Sequence, residues 1–261
     1  MESALDYHTA RAMLEWQIEL GATEAILDAP VNRYEAQAKQ AQVKPITPAP
    51  AQKVVQKPEI DPVALAKQAA AAADDLPSLK TATAHFDHCS LKRGARSLVF
   101  ADGDAAARVM IIGDAPDREE DRHGRPFVGP AGQLLDHMLA AIGLDRNSQD
   151  RKTAVYLTNI LPWRPPQSRD ASANEIAMMR PFVQRHVALA DPDILVLMGN
   201  GACHSVLGKR GINRLRGTWA EAFGKPTLPM LHPEALLRSP IAKRDAWADL
   251  LKIKARLLAD T

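Results

Sequence analysis

Asp114 and His232 each stand just beyond an apolar run that reads as a buried strand, residues 109–113 and 226–231. A carboxylate and an imidazole delivered there can stabilise charge or move protons, and strand carboxyl ends are where open α/β sheets hold ligands. A third apolar run, 154–161, carries Asn159. Its amide sets a donor beside an acceptor, the pair that reads an amide-like base edge, although an asparagine before prolines equally serves turn chemistry.

Residues 113–132 hold a run of charge from Asp114 and Asp117 to Arg125, then change abruptly to Pro126-Phe127-Val128-Gly129-Pro130. The charges read as a solvated loop, and Phe127 suits either packing or stacking on a base. Arg164 and Arg169 sit in a Pro-stiffened loop; they fit phosphate contacts or an idle, solvated role. In residues 232–238, His232 is either a satisfied core histidine or a donor to a ligand oxygen. Leu236 and Leu237 either pack a helix or wedge into a base stack, with Arg238 as a phosphate clamp. Lys209, Arg210, Arg214 and Arg216 add local positive charge, as a backbone-tracking groove or as a soluble loop.

The elements that must position these groups alternate. Residues 109–113, 154–161, 194–199 and 226–231 predict strands; 131–142, 172–190, 201–207 and 243–258 predict helices. The third run is almost continuously hydrophobic, as a strand covered on both faces must be. The fold class is therefore α/β, with a mostly parallel sheet and helices on both faces. Residues 5–20 predict an amphipathic helix ending near Gly21, and a short helix is expected around 24–27. The chain divides into an N-terminal helical segment (1–32), an Ala/Pro/Gln-rich linker (33–75) and a catalytic domain (76–261). The alanine run 69–73 reads as spacer.

Composition sets the outer bounds. The 261 residues are 46% hydrophobic with a formal net charge of +2, so no global basic field announces a nucleic-acid partner. Two cysteines, Cys89 and Cys203, make neither a disulfide framework nor a four-thiolate metal site. No stretch approaches the roughly 20 apolar residues of a membrane span, and the first residues do not read as a signal peptide. A cytoplasmic, monomeric protein with no membrane contact is expected.

Five ordered motifs resemble those of the uracil-DNA glycosylase superfamily. They are Gly113-Asp114-Ala115-Pro116; the stretch from Gly124 through Pro126-Phe127-Val128-Gly129-Pro130 to Asp136; Thr158-Asn159-Ile160; Arg164-Pro165-Pro166-Gln167-Ser168-Arg169; and His232-Pro233-Glu234-Ala235-Leu236-Leu237-Arg238. The likeness runs from about Cys89 to Leu258 and is greatest to family 4, usually iron–sulfur enzymes. It implies a three-layer α/β/α domain that flips deoxyuridine from DNA and cuts its N-glycosidic bond. By position, Asp114 would orient the water and His232 would stabilise the leaving base. Ala115, Asp117, Phe127 and Asn159 would contact uracil, and Arg164, Arg169, Leu236, Leu237 and Arg238 would contact DNA. Two rivals stand beside this reading: a catalytically weak relative that binds damaged or single-stranded DNA, and a glycosylase for hypoxanthine or xanthine. Whether the N-terminal helix recruits a protein partner is open.

Two departures from the resemblance carry consequences. Phe86, Trp163 and Met179 stand at three of the four places where family 4 has cluster cysteines, with Cys89 at the other, so no iron–sulfur cluster and no other cofactor is expected. The three large side chains predict a hydrophobic plug in the cluster's volume. Asp114 and Asp117 replace a Glu and a Gly of the usual first motif. Asp is one methylene shorter, roughly 1.5 Å less reach, and a misplacement of about 1 Å can cost around a hundredfold in rate.

Overall fold

Branched and long apolar side chains fill the expected strands, and a computed structural model, which describes residues 6–21 and 61–259, sets them in one sheet. The strands are β1 (Asp102–Gly103), β2 (Val109–Gly113), β3 (Val155–Asn159), β4 (Ile194–Met198), β5 (Ala220–Ala222) and β6 (Lys225–Met230). Their order is β1-β3-β2-β4-β6-β5, with β3, β2, β4 and β6 mutually parallel and both edge strands antiparallel. Every residue of β2, β3 and β4 is buried, as layers on both faces require. The edge strands β1 and β5 went unpredicted because two or three residues are too short to show alternation.

The helices are α1 (Tyr7–Glu19), α2 (Pro62–Ala71), α3 (Leu76–His85), α4 (Arg118–His123), α5 (Gly129–Ala140), α6 (Ala173–Ala190), α7 (Asn200–Leu207), α8 (Ile212–Leu215), α9 (Pro233–Arg238) and α10 (Lys243–Ala259). The connection from β2 through α5 to β3 leads one way along the sheet. The next, through α6 to β4, leads back across β2. Right-handed crossovers then put α5 on one face and α6 on the other, and the direction reverses between β2 and β4. That reversal opens a crevice at the strands' carboxyl ends.

The chain forms two compact units, 1–59 and 60–261. In the first, Asp6 caps α1 by accepting the His8 and Thr9 N–H groups, and the helix ends just before Gly21 at φ 93°. None of its residues is buried. The short helix expected near 24–27 and linker residues 33–60 lie outside the described residues. No helix among the described residues is long and apolar enough to cross a membrane.

The expected linker extends too far. Residues 61–75 belong to the second unit: Asp61 caps α2, which packs on α6 with Ala66, Ala70 and the following Ala73 buried. Arg185 donates from Nε and Nη2 to the Ala73 carbonyl at 2.9 and 2.7 Å. Alanine here is not spacer composition. Small side chains let two helices approach closely while leaving no large apolar residue to mark the buried face. Ala66→Leu should therefore lower stability by roughly 1–3 kcal/mol through overpacking; an unchanged urea midpoint would show that α2 is not part of the core.

Candidate active site

Gly113 ends β2 directly opposite Asn159, which ends β3. Any Cβ at Gly113 would collide with Asn159 Oδ1 and with the tip of the Phe127 ring. Glycine is therefore required by close approach, and three elements converge on one backbone atom. Phe127 is buried and holds φ 51°, a strained value for an aromatic residue. Its ring lies within 25° of parallel to the His232 imidazole, with centroids 5.5 Å apart.

The charged loop is mostly not a loop. Asp117 caps α4 through a reciprocal box: its carboxylate accepts the Glu120 N–H at 2.8 Å, and Glu120 Oε2 accepts the Asp117 N–H at 2.9 Å. Glu120 Oε1 accepts the Phe127 N–H, and Oε2 lies 3.4 Å from Asn159 Nδ2. Asp121 Oδ1 accepts the Arg96 and Ser97 N–H groups at 2.8 and 3.1 Å. Glu120 and Asp121 are buried, so the solvated reading of this run is corrected. Backbone donors replace water around both carboxylates. Burial nevertheless holds the Glu120 carboxyl up at about 7.

Asp114, the next residue after β2, turns to the first turn of α7. Its Oδ1 accepts the Ala202 N–H at 2.6 Å. A Cβ at Gly199, which sits at φ 108° beyond β4, would strike the carboxylate. Asp114 thus spans the point where the connections reverse between β2 and β4. Desolvation outweighs the N–H contact, and Asp170 and Glu234 add repulsion, raising its pKa to about 6.

His232 caps α9: its Nδ1 accepts the Glu234 N–H at 3.3 Å. A ring nitrogen that accepts carries no proton, so the neutral imidazole has its hydrogen on Nε2. Burial, with Arg238 adding, lowers the His232 pKa to about 4. That leaves Nε2–H as the imidazole's donor for a ligand oxygen.

The remaining expected contacts divide. Ala115 is half-buried beside Asp114, while Asp117 is exposed and spends its carboxylate on the cap. Leu236 is 0% exposed and cannot serve as a wedge on DNA; as a core residue it anchors α9. Leu237, 43% exposed, and Arg238, loosely paired with Glu234 at 3.5 Å, remain at the surface. Arg169 forks onto the buried Glu175 at 2.6 and 2.9 Å, so that guanidinium is already engaged. Arg164 is half-buried, with an unpartnered, buried Nε. Lys209, Arg210 and Arg214 are exposed, whereas Arg216 is committed to Asp249 at 2.8 and 2.9 Å.

Sequence reasoning missed Glu120 and the Gly199–Ala202 cradle. Asp117 with Glu120 three residues on is a capping-box pattern and could have been read. The cradle could not, because Gly199 meets Asp114 only through sheet topology.

Phe86, Cys89, Trp163 and Met179 are all buried in the core, and Phe86 packs edge-on against Phe182 at 5.3 Å. One thiol, raised above its ordinary pKa by burial, does not fit a cluster that needs four thiolates.

The model of the uracil DNA glycosylase superfamily matches residues 100–251. The chain is 31% identical over 191 residues to the type-4 uracil-DNA glycosylase of Sulfurisphaera tokodaii, covering 69% of this chain and 84% of that one. It is 33% identical to the type-4 enzyme of Archaeoglobus fulgidus, covering 63% and 84%, and 33% identical to that of Thermotoga maritima, covering 64% and 86%.

The histidine geometry is directly checkable. Nitrogen-15 NMR should find His232 as the Nε2–H tautomer at pH 7, titrating near pH 4; an Nδ1–H form or a midpoint above 6 would refute the capping geometry.

Proposed function

Because this chain belongs to the uracil DNA glycosylase superfamily, we propose that it excises uracil from DNA as a monofunctional base-excision repair enzyme in the cytosol. The observation that carries the reading is that Asn159 and Phe127 meet at Gly113 while a neutral His232 stacks against Phe127. Those are a base-edge reader, a stacking surface and a carbonyl donor, delivered from beyond the carboxyl ends of parallel strands of one sheet.

In this reading the flipped uracil stacks on Phe127 and hydrogen-bonds the Asn159 amide along its N3–O4 edge. The C1′–N1 bond breaks with both electrons going to the base, leaving a uracil anion and an oxocarbenium-like sugar. His232 Nε2–H stabilises charge on O2, and the Asp114 carboxylate faces the cationic sugar and orients water. Water adds to C1′, and its proton passes to Asp114 and then to solvent. Neutral histidine suits this step, since a donor that keeps its proton stabilises the anion without having to lose it. Leu237 supplies the wedge and Arg238 a phosphate contact, with the exposed Lys209, Arg210 and Arg214 adding positive charge for the DNA backbone.

The chemistry here needs no metal. We propose that the protein works without an iron–sulfur cluster, its place taken by apolar packing around Phe86, Trp163 and Met179. One observation favours a weaker enzyme: Asp114 already spends one oxygen on the Ala202 N–H. Binding of uracil-containing DNA without cleavage is the outcome that would support that second reading.

An oligonucleotide with a single uracil should acquire an alkali-labile site, and Asp114→Asn or His232→Ala should slow its formation by about 10²–10³-fold; unimpaired variants would refute the site assignment. The Asp114 pKa is raised to about 6, so the ionised form is lost as pH falls through that value. Accordingly, kcat/KM should fall below pH about 6, and a profile flat to pH 5 would exclude Asp114 as the required carboxylate. Purified protein should be colourless and iron-free, whereas stoichiometric iron with visible absorbance would overturn the cluster-free proposal.

A further inference from the structure

Both oxygens of Glu120 are committed as acceptors. Oε1 takes the Phe127 N–H, and Oε2 takes the Asp117 N–H at 2.9 Å. Backbone amides only donate, so neither bond can reverse its direction. The Asn159 amide meets this same Oε2 at 3.4 Å. With Glu120 ionised only its Nδ2 can lie there, because its carbonyl oxygen would face another acceptor with no proton between them. Oδ1 is thereby turned against Gly113, and the second Nδ2 hydrogen is left for a ligand.

We propose that Glu120 is the positioning residue that locks the Asn159 amide in the orientation matching uracil and opposing cytosine. The inference rests on the reading of Asn159 as the base-edge residue. Uracil offers an N3–H donor and an O4 acceptor; cytosine offers an N3 acceptor and an N4 donor. An asparagine amide rotated by half a turn exchanges its own donor and acceptor and fits cytosine instead. The terminal torsion of asparagine is broad and nearly two-fold, so the side chain alone does little to prevent that rotation. Discrimination must then come from whatever holds the amide, and the contact that breaks its symmetry is Glu120.

Burial makes Glu120 a costly acceptor, its carboxyl held up at about 7. A neutral side chain would avoid that cost, but it would not hold Asn159 in this orientation. Glutamine illustrates the difference. With its oxygen on the Phe127 N–H, its Nε2 would face Asn159 as a donor and draw Oδ1 round.

The test is equilibrium binding of the full chain, at pH 8 where Glu120 is ionised, to oligonucleotides carrying one cleavage-resistant 2′-fluoro-deoxyuridine or 2′-fluoro-deoxycytidine. The wild-type protein should prefer the uracil analogue by about 10–100-fold, the range of one bidentate base contact. Glu120→Gln should lose most of that preference, while Glu120→Asp, which keeps a carboxylate acceptor, should retain it with weaker binding. If Glu120→Gln folds, as judged by its melting curve, and keeps the wild-type ratio, the lock is refuted. If it does not fold, Glu120→Ala carries the same expectation and the same refutation. A wild-type protein that shows no preference would overturn the base-edge reading of Asn159, and the lock with it, and the wild-type measurement alone reveals that outcome.

Discussion

Two carboxylates largely withdrawn from water, Asp114 just beyond β2 and Glu120 on α4, impose the conditions that the rest of this site meets. Asp114 and Glu120 are each supplied with backbone N–H donors in place of solvent. Those donors exist only because particular local structures are built. For Asp114 they require α7 to start beside β2 and a glycine at 199 to leave room. For Glu120 they require the capping box of α4 and a Phe127 backbone held in the left-handed region. Burial still raises both pKa values above ordinary carboxylates, to about 6 and about 7. Their ionised forms therefore subtract from stability at neutral pH, and the contribution of these two groups improves as pH falls from about 7 towards the ordinary carboxylate range, while buried His232 and His186, which resist protonation, pull the other way below about pH 6.5. Such a cost is expected where a site is organised for chemistry rather than for stability.

The same desolvation acts on His232 in the opposite chemical direction. Burial disfavours whichever form is charged, so it keeps the imidazole neutral down to about pH 4 while keeping carboxylates protonated to higher pH than usual. Above about pH 7 both effects are satisfied together: the carboxylates carry charge and the histidine does not. An uncharged donor faces the leaving base, and an anion stands ready for the sugar. One physical cause thus assigns two roles.

The strands and long helices were legible because apolar side chains announce them. Asp114, Phe127, Asn159 and His232 were legible because each sits at the end of such a run or beside an abrupt change of composition. What stayed hidden was carried by residues with little to announce. The buried face of α2 is made of alanine, and composition alone reads it as spacer. Glu120 was lost within a run of charge, where burial cannot be told from solvation by residue type. Leu236 and Leu237 look interchangeable in sequence, yet helix geometry sends one into the core and leaves the other at the surface. Arg169 read as a free cation because its partner, Glu175, lies on α6, where the sequence shows nothing beyond a capping glutamate.

Burial, held by backbone donors, sets the charge states of this site. Carbon-13 NMR of the side-chain carboxyl carbons of Asp114 and Glu120 across pH 3–9 measures it most directly. Midpoints of about 6 and about 7 are predicted. Ordinary midpoints near 4 for both would contradict the claim.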